Sequence, residues 1–373
     1  MTRVAHILGN LEYGGLQRIV LALIRELPAY SHAVYFNSTT RGPLYEEYSA
    51  ACEIHQCPYP RGSFVGALKY MPRLARELRE FAPDVVIAHL FGNHLVVGIS
   101  ARLAGVPATY GVSANDPVHY SRSRWKPMLL AQLARPFCRG EIAVSEAVAN
   151  VLRDALRLPA RRAHVVENGC PVEPIAARAD AGRAAAVRTD GRYRLLMVAF
   201  LGRAKDHETA IRSVAELRKN GHDVVLSFAG QVRRQEVQKR FEELARQLGV
   251  SDSVKFLGGR DDIPELMGAS HVVIHATHSE GLPGAILEAF ASRTPVVATD
   301  IPSCHEVLDG GRCGLLVPPR DPIAMARAVE SILTQDDLRR RVVKAAFERV
   351  NARYHTRRMA AGYATLIDGS VRR

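Results

Sequence analysis

The chain has 373 residues, 47% of them hydrophobic, which is enough for two α/β domains with separate cores. Its start runs straight into a strand without the pattern of a signal peptide, no apolar run reaches membrane-spanning length, and the scattered cysteines (only Cys52 and Cys57 are close) complete no zinc pattern, so reduced cytosolic thiols are expected. The formal net charge of +12 fits anionic substrates, an acidic membrane surface or an arginine-rich composition; no zinc finger, ribonucleoprotein motif or recognition helix points to nucleic acid.

Strand-like and helix-like runs alternate from the first residues. Strands are predicted over Val4–Leu8, His32–Phe36, Glu53–Gln56, Val85–Ala88, Ala108–Val112 and Glu141–Val144, with helices such as Gly15–Leu27 and Leu95–Ala104 between them. This is the pattern of a parallel sheet covered on both faces. Gly14 and Gly15 open the first helix and permit close approach of a ligand. The run Leu68–Arg79 sets apolar residues at helical spacing beside basic ones, and Arg122–Leu130 joins cations to the only tryptophan, Trp125. Such segments suit an anionic bilayer; the alternative is an ordinary surface helix packing Leu74 and Leu78 on the sheet. His89 and His94 flank the end of the strand Val85–Ala88. Pro171 to Gly191, rich in Pro, Ala and Arg without apolar periodicity, reads as a linker.

A second sheet is expected from strands at Leu195–Phe200, Val224–Ala229, Val254–Leu257, Val272–Ala276, Val296–Ala298 and Leu315–Val317, with helices such as Glu208–Leu217 and Glu236–Leu248. The tail from Pro322 to Ile367 is helical, with a break near Asn351. The predicted domains are therefore 1–170, a linker at 171–192, 193–350, and a last helix at 351–373.

Two stretches of this second half suit anion chemistry. Arg203-Ala204-Lys205-Asp206 lies between a strand and a helix for which Asp206 is an N-cap. Cations there oppose the helix dipole unless an anion joins them. The segment His278-Ser279-Glu280-Gly281-Leu282-Pro283-Gly284-Ala285-Ile286-Leu287-Glu288 follows a buried strand, so its loop sits where open α/β sheets bind ligands. The amides of Gly281 and Leu282 can face a phosphate; Pro283 has no amide hydrogen and suits a first helical turn; Gly284 permits close approach. Glu288, in the first turns of the helix, can take ribose hydroxyls. Glu280, on the loop, would reach whatever the phosphate carries.

This stretch resembles the E-x7-E motif of retaining glycosyltransferases of family 4, which have the GT-B fold. Other segments agree: Gly14-Gly15-Leu16-Gln17-Arg18 is similar to the family's first glycine turn, Ile142–Glu146 and Asn168-Gly169 to its markers before the linker, Lys205-Asp206-His207 to its donor-phosphate lysine, and Thr294–Thr299 and Gly314–Pro318 to the runs after its carboxylate motif. The resemblance spans nearly the whole chain. It implies two Rossmann-like domains facing across a cleft, with the last helix crossing back to the first domain. It assigns Lys205 to the donor diphosphate, Glu288 to the ribose and Glu280 to the transferred sugar. The turn Gly258-Gly259-Arg260-Asp261 is placed at the nucleobase, with uracil and guanine both open. The family's frequent arginine five residues before the lysine is Phe200 here, and Arg203 is the candidate substitute. Its usual histidine after the strand Ala108–Val112 is also missing. Asn115, Asp116 and His119 are the candidates there, and His89 is a further one.

The resemblance implies transfer of a sugar from a nucleotide-diphosphate donor to an acceptor hydroxyl, with retention and with no metal or other cofactor. The lack of an obvious Asp-x-Asp motif agrees with the last point. The acceptor is a glycan, a lipid-linked group or a small molecule, and the use is cell-envelope polysaccharide or lipid glycosylation, or glycosylation of a secondary metabolite. A cytoplasmic enzyme is expected, with peripheral contact on the inner face of the membrane if the acceptor is a lipid. The alternatives are a sugar-nucleotide epimerase or a binding-only protein on the same fold. A nicotinamide-dependent oxidoreductase is opposed by the lack of G-x-G-x-x-G after any predicted strand.

Overall fold

The computed structural model describes residues 1–59, 64–89, 91–117, 119, 125–186, 191–202, 204–232 and 234–371, with the backbone alone at 64 and 91. The chain divides into two units, one of Met1–Gly169 with Thr356–Arg373 and one of Cys170–His355. Each is built on one sheet of parallel strands.

In the first unit the strands are β1 (Arg3–Leu8), β2 (Ser31–Phe36), β3 (Glu53–Gln56), β4 (Val85–Ala88), β5 (Ala108–Ser113), β6 (Gly140–Ala143) and β7 (Ala163–Val165), in the order β3-β2-β1-β4-β5-β6-β7. Alternate residues face opposite layers. Ala5, Ile7, Ala33 and Tyr35 join one core with the helix Phe64–Phe81, while Leu8, Val34 and Phe36 join another with the helix Gly15–Glu26. The final helix, Thr356–Val371, packs on Gly15–Glu26 and β4, and Tyr30 donates to Asp368 at 2.9 Å.

The second unit carries β8 (Tyr193–Val198), β9 (Val224–Ala229), β10 (Val254–Gly258), β11 (Val272–His275), β12 (Val296–Thr299) and β13 (Leu315–Val317), in the order β10-β9-β8-β11-β12-β13. The strand order therefore reverses at β1/β4 in one sheet and at β8/β11 in the other. At such switch points adjacent strands send their following loops to opposite sides, which opens a crevice at the carboxyl edge.

The stretch read as a linker is largely a helix, Val172–Ala185, packed against the helix Ile263–Gly268 within the second unit. Small residues make that contact. A Cβ on Gly268 would meet the backbone carbonyl of Ala179, and one on Gly182 would meet the backbone of Glu265. Backbone-to-backbone approach leaves no large apolar period to read in the sequence. Gly268→Ala should overpack this contact at a cost of about 1–3 kcal/mol. A lower urea midpoint checks this; an unchanged midpoint would mean the helix is detached. The C-terminal helices also break later than expected. Asn351 lies inside the helix Asp336–Arg353, and the break falls at Tyr354–His355.

Two surface helices differ from each other. On Phe64–Phe81, Leu74 and Leu78 are fully buried, while Val65 and Leu68 are exposed along with Lys69, Arg73, Arg76 and Arg79, so only part of its apolar stripe joins the core. On Trp125–Ala134 the apolar residues turn outward, with Trp125 58% and Leu133 48% exposed beside Lys126. Arg122, Ser123 and Arg124, part of the basic aromatic segment, lie outside the described residues.

Candidate functional site

The loops after β8 and β11, neighbours at the switch point, are tied to each other. His278 N donates to the Ala204 carbonyl at 2.8 Å, and Thr277 Oγ1 donates to the same oxygen at 2.9 Å. Asp206 N donates to the Ala276 carbonyl at 3.0 Å. Thr299, at the end of β12, donates to the Thr277 carbonyl at 2.9 Å and accepts from Thr277 N at 3.1 Å. Asp206 caps the helix His207–Lys219, accepting from Thr209 N at 3.1 Å and Thr209 Oγ1 at 2.7 Å. The backbone on both sides of Lys205 is thus fixed before its side chain is considered.

That side chain ends on Glu280. Lys205 Nζ and Glu280 Oε1 are in direct contact, with side chains 11% and 12% exposed. The same oxygen accepts from His275 Nε2 at 3.0 Å. Burial pushes the Lys205 ammonium down to about 8, while contact with the carboxylate opposes that loss. His275 is held well below its ordinary range by burial, with the Lys205 charge acting in the same direction. It is therefore neutral and donates its Nε2 hydrogen to Glu280. The cation before the helix has found its anion in Glu280, and a bound ligand would have to share or replace that partner.

Beyond Glu280 the chain runs through the buried residues Gly281, Leu282 and Pro283 into the helix Gly284–Ala291. Pro283 sits at the N-cap, one position before its expected place, and offers the first turn no side-chain acceptor. Gly284 leaves open space where a Cβ would stand. Glu288 lies half-buried on this helix beside Cys170, whose thiol is pushed well up by burial and by the charge of Glu288. Cys170 Sγ also donates to the Leu287 carbonyl at 3.6 Å.

The remaining candidates lie on other loops. Gly258 takes a left-handed φ of 68° at the end of β10, followed by Gly259. Arg260 turns onto Asp262, with Nε–Oδ1 2.7 Å and Nη2–Oδ2 2.5 Å, so it would have to leave that carboxylate to meet a ligand. Arg203 lies outside the described residues. In the first unit Gly14 is the N-cap of the helix that Gly15 begins, while Gln17 Nε2 donates to Asn10 Oδ1 at 2.7 Å over that turn. His89 follows β4 and is buried; Asn115 and His119 follow β5 and are exposed, His119 N donating to Asp116 Oδ1 at 3.1 Å.

His275 and Cys170 were not among the expected site residues. A histidine on the otherwise apolar run Val272-Val273-Ile274-His275, five residues before Glu280, was the available signal for the first. Cys170 has no comparable mark, because it meets Glu288 only through the fold.

Comparison with known proteins agrees with this architecture. Residues 13–173 match the model of Glycosyltransferase Family 4, and residues 180–349 that of Glycosyl transferases group 1. The alpha-D-kanosaminyltransferase of Streptomyces kanamyceticus is 26% identical over 316 residues, 79% of each chain. The lipopolysaccharide glucosyltransferase WaaG of Escherichia coli is 29% identical over 137 residues, 36% of each. Among solved structures, Anabaena HepE in complex with UDP and glucose aligns with a TM-score of 0.86 at 18% identity, covering 99% of this chain and all of that one. With both sheets matched in this way, the chain belongs to the glycosyltransferases of family 4 and has the GT-B fold.

Proposed function

We propose that the enzyme transfers a hexose with retention, and without a metal ion, from a nucleoside-diphosphate donor to an acceptor hydroxyl of a cell-envelope glycan or lipid. The observation that carries this reading is the buried Lys205–Glu280–His275 group at the β8/β11 switch point, next to the start of the helix Gly284–Ala291. Lys205 and the amides of Gly281, Leu282 and the first helical turn stabilise the charge that develops on the leaving diphosphate. Glu288 holds the ribose hydroxyls. Glu280, steadied by His275, orients the sugar. Gly259 and Arg260 lie at the nucleobase. Retention follows from attack on the face the diphosphate leaves, the departing phosphate oxygen taking the hydroxyl proton.

UDP-sugars are the first donors to try, since HepE was solved with UDP and glucose. A lipopolysaccharide glucosyltransferase among the relatives supports an envelope acceptor. Thermal shifts and diphosphate release across a panel of UDP-, GDP-, ADP- and dTDP-sugars, in chelator, test the proposal. Stabilisation grows with the ratio of ligand to dissociation constant. Stabilisation by one class of donor with release of its diphosphate is expected; no shift with any of them would remove the donor site.

The outward apolar face of Trp125–Ala134 favours peripheral contact of the first unit with an anionic bilayer. No helix among the described residues is long and apolar enough to cross one. Each basic residue near such a surface contributes about 1 kcal/mol. Reversal of Arg73, Arg76 and Lys126 to Glu should release the protein from anionic vesicles at low salt while donor binding holds. Co-sedimentation no greater with anionic than with neutral vesicles would remove the membrane from the account.

A further inference from the structure

Three imidazoles cross one face of the first sheet in a single hydrogen-bonded line. His32 lies near the start of β2, His6 within β1, and His89 directly after β4. The strands pair His6 with Val34 on one side and with Ile87 on the other, so residues 32, 6 and 89 share a face and run diagonally towards the carboxyl edge. His32 Nε2 is 3.0 Å from the Leu27 carbonyl oxygen, His32 Nδ1 is 3.1 Å from His6 Nε2, and His6 Nδ1 is 3.1 Å from His89 Nε2.

The carbonyl settles the direction of the whole line. A carbonyl oxygen only accepts, so His32 carries its hydrogen on Nε2, and in a neutral ring Nδ1 then accepts. His6 must donate to that nitrogen from Nε2, which leaves its own Nδ1 to accept from His89 Nε2. Burial lowers all three groups, His89 to about 3, and keeps each ring neutral near pH 7. Nδ1 of His89 is left as the acceptor. The residue stands at the carboxyl end of a strand at the β1/β4 switch point, the edge at which such sheets take ligands.

We infer that His6 and His32 are positioning residues that fix His89 as its Nε2–H tautomer, so that His89 Nδ1 accepts a hydrogen bond from the acceptor substrate, from a hydroxyl beside the attacking one or, with water as acceptor, from the hydrogen that is not transferred. The substrate in this inference rests on the glycosyltransferase reading above. The hydrogen bond aligns the attacking oxygen. The bond from the sugar to the diphosphate breaks, the bond to the attacking oxygen forms, and the attacking group's own proton leaves on the phosphate, while the hydrogen held by His89 is not transferred and His89 stays neutral throughout.

The test is long-range proton–nitrogen correlation on the full chain with nitrogen-15 histidine, assigned by single variants. All three rings should carry their hydrogen on Nε2. His32→Phe removes the anchor, so His89 should populate both tautomers. With the donor that the nucleotide-sugar panel selects, and water as acceptor, that variant should lose roughly three- to tenfold in kcat with the donor KM unchanged. His32→Gln, which can both donate to Leu27 and accept from His6, should restore tautomer and rate. A hydrogen on Nδ1 of His89 in the wild type, or an unmoved kcat in His32→Phe, overturns the inference while leaving the glycosyltransferase reading intact. Absence of turnover with every donor would sink that reading and this role together.

Discussion

Alanine at Lys205 should lower turnover by about ten- to more than a hundredfold, since one charge-assisted contact is worth roughly 1.5–3 kcal/mol. The fold should survive, because the turn around Lys205 is held by backbone groups and by Asp206 and Thr277 rather than by the ammonium. The same side chain predicts a pH dependence. Its ammonium has a pKa lowered to about 8 by burial, so it is charged below that pH and neutral above it. Phosphate binding needs the charged form. Affinity for the free nucleoside diphosphate should therefore hold up to about pH 7 and fall roughly tenfold by pH 9. The alanine variant should bind weakly at both pH values. Calorimetry decides: a flat wild-type profile, or a variant that keeps the slope, would remove Lys205 from the phosphate site.

Glu288→Ala should weaken donor and free nucleoside diphosphate alike, by about ten- to a hundredfold, because the ribose belongs to both. Glu280→Gln should act differently. Glu280 lies on Lys205 and His275, ahead of the helix rather than on it. Its removal takes away an anion that competes with the diphosphate for Lys205, so free diphosphate should bind at least as well near pH 7. Turnover should nevertheless fall, because the sugar has lost its partner. Equal weakening of the free diphosphate by both substitutions would show that the two carboxylates do not divide the donor between them.

The strands were the most legible part of the chain, because a strand buried on both faces must be a short run of Val, Ile, Leu and Ala. β4 and β9 match the expected spans residue for residue, and so do the edge strands β3 and β13, which are not buried in this way. β7 was missed. It has three residues, two of them half-buried, which is too short for any period to show. The helix Val172–Ala185 was missed for another reason: of its buried residues only Val172 and Ile175 are large and apolar, and its close contact is made by Ala179 and Gly182, which carry little hydropathy signal. In the site, Lys205 and Glu280 stood out by spacing and surroundings. Their direct contact did not, since 75 residues separate them in sequence and only the pairing of β8 with β11 brings them together. His6, His32 and His89 were equally hidden as a group, because lone histidines on apolar strands read as core residues until the strand order is known.

The most direct test of the central claim is proton NMR of the first sugar product formed from an α-linked nucleotide sugar, with chelator present throughout. The account predicts that the α-anomer appears first, before mutarotation, and that the rate does not change when the chelator is omitted. A first-formed β-anomer, or activity that returns only on addition of a divalent cation, would contradict it.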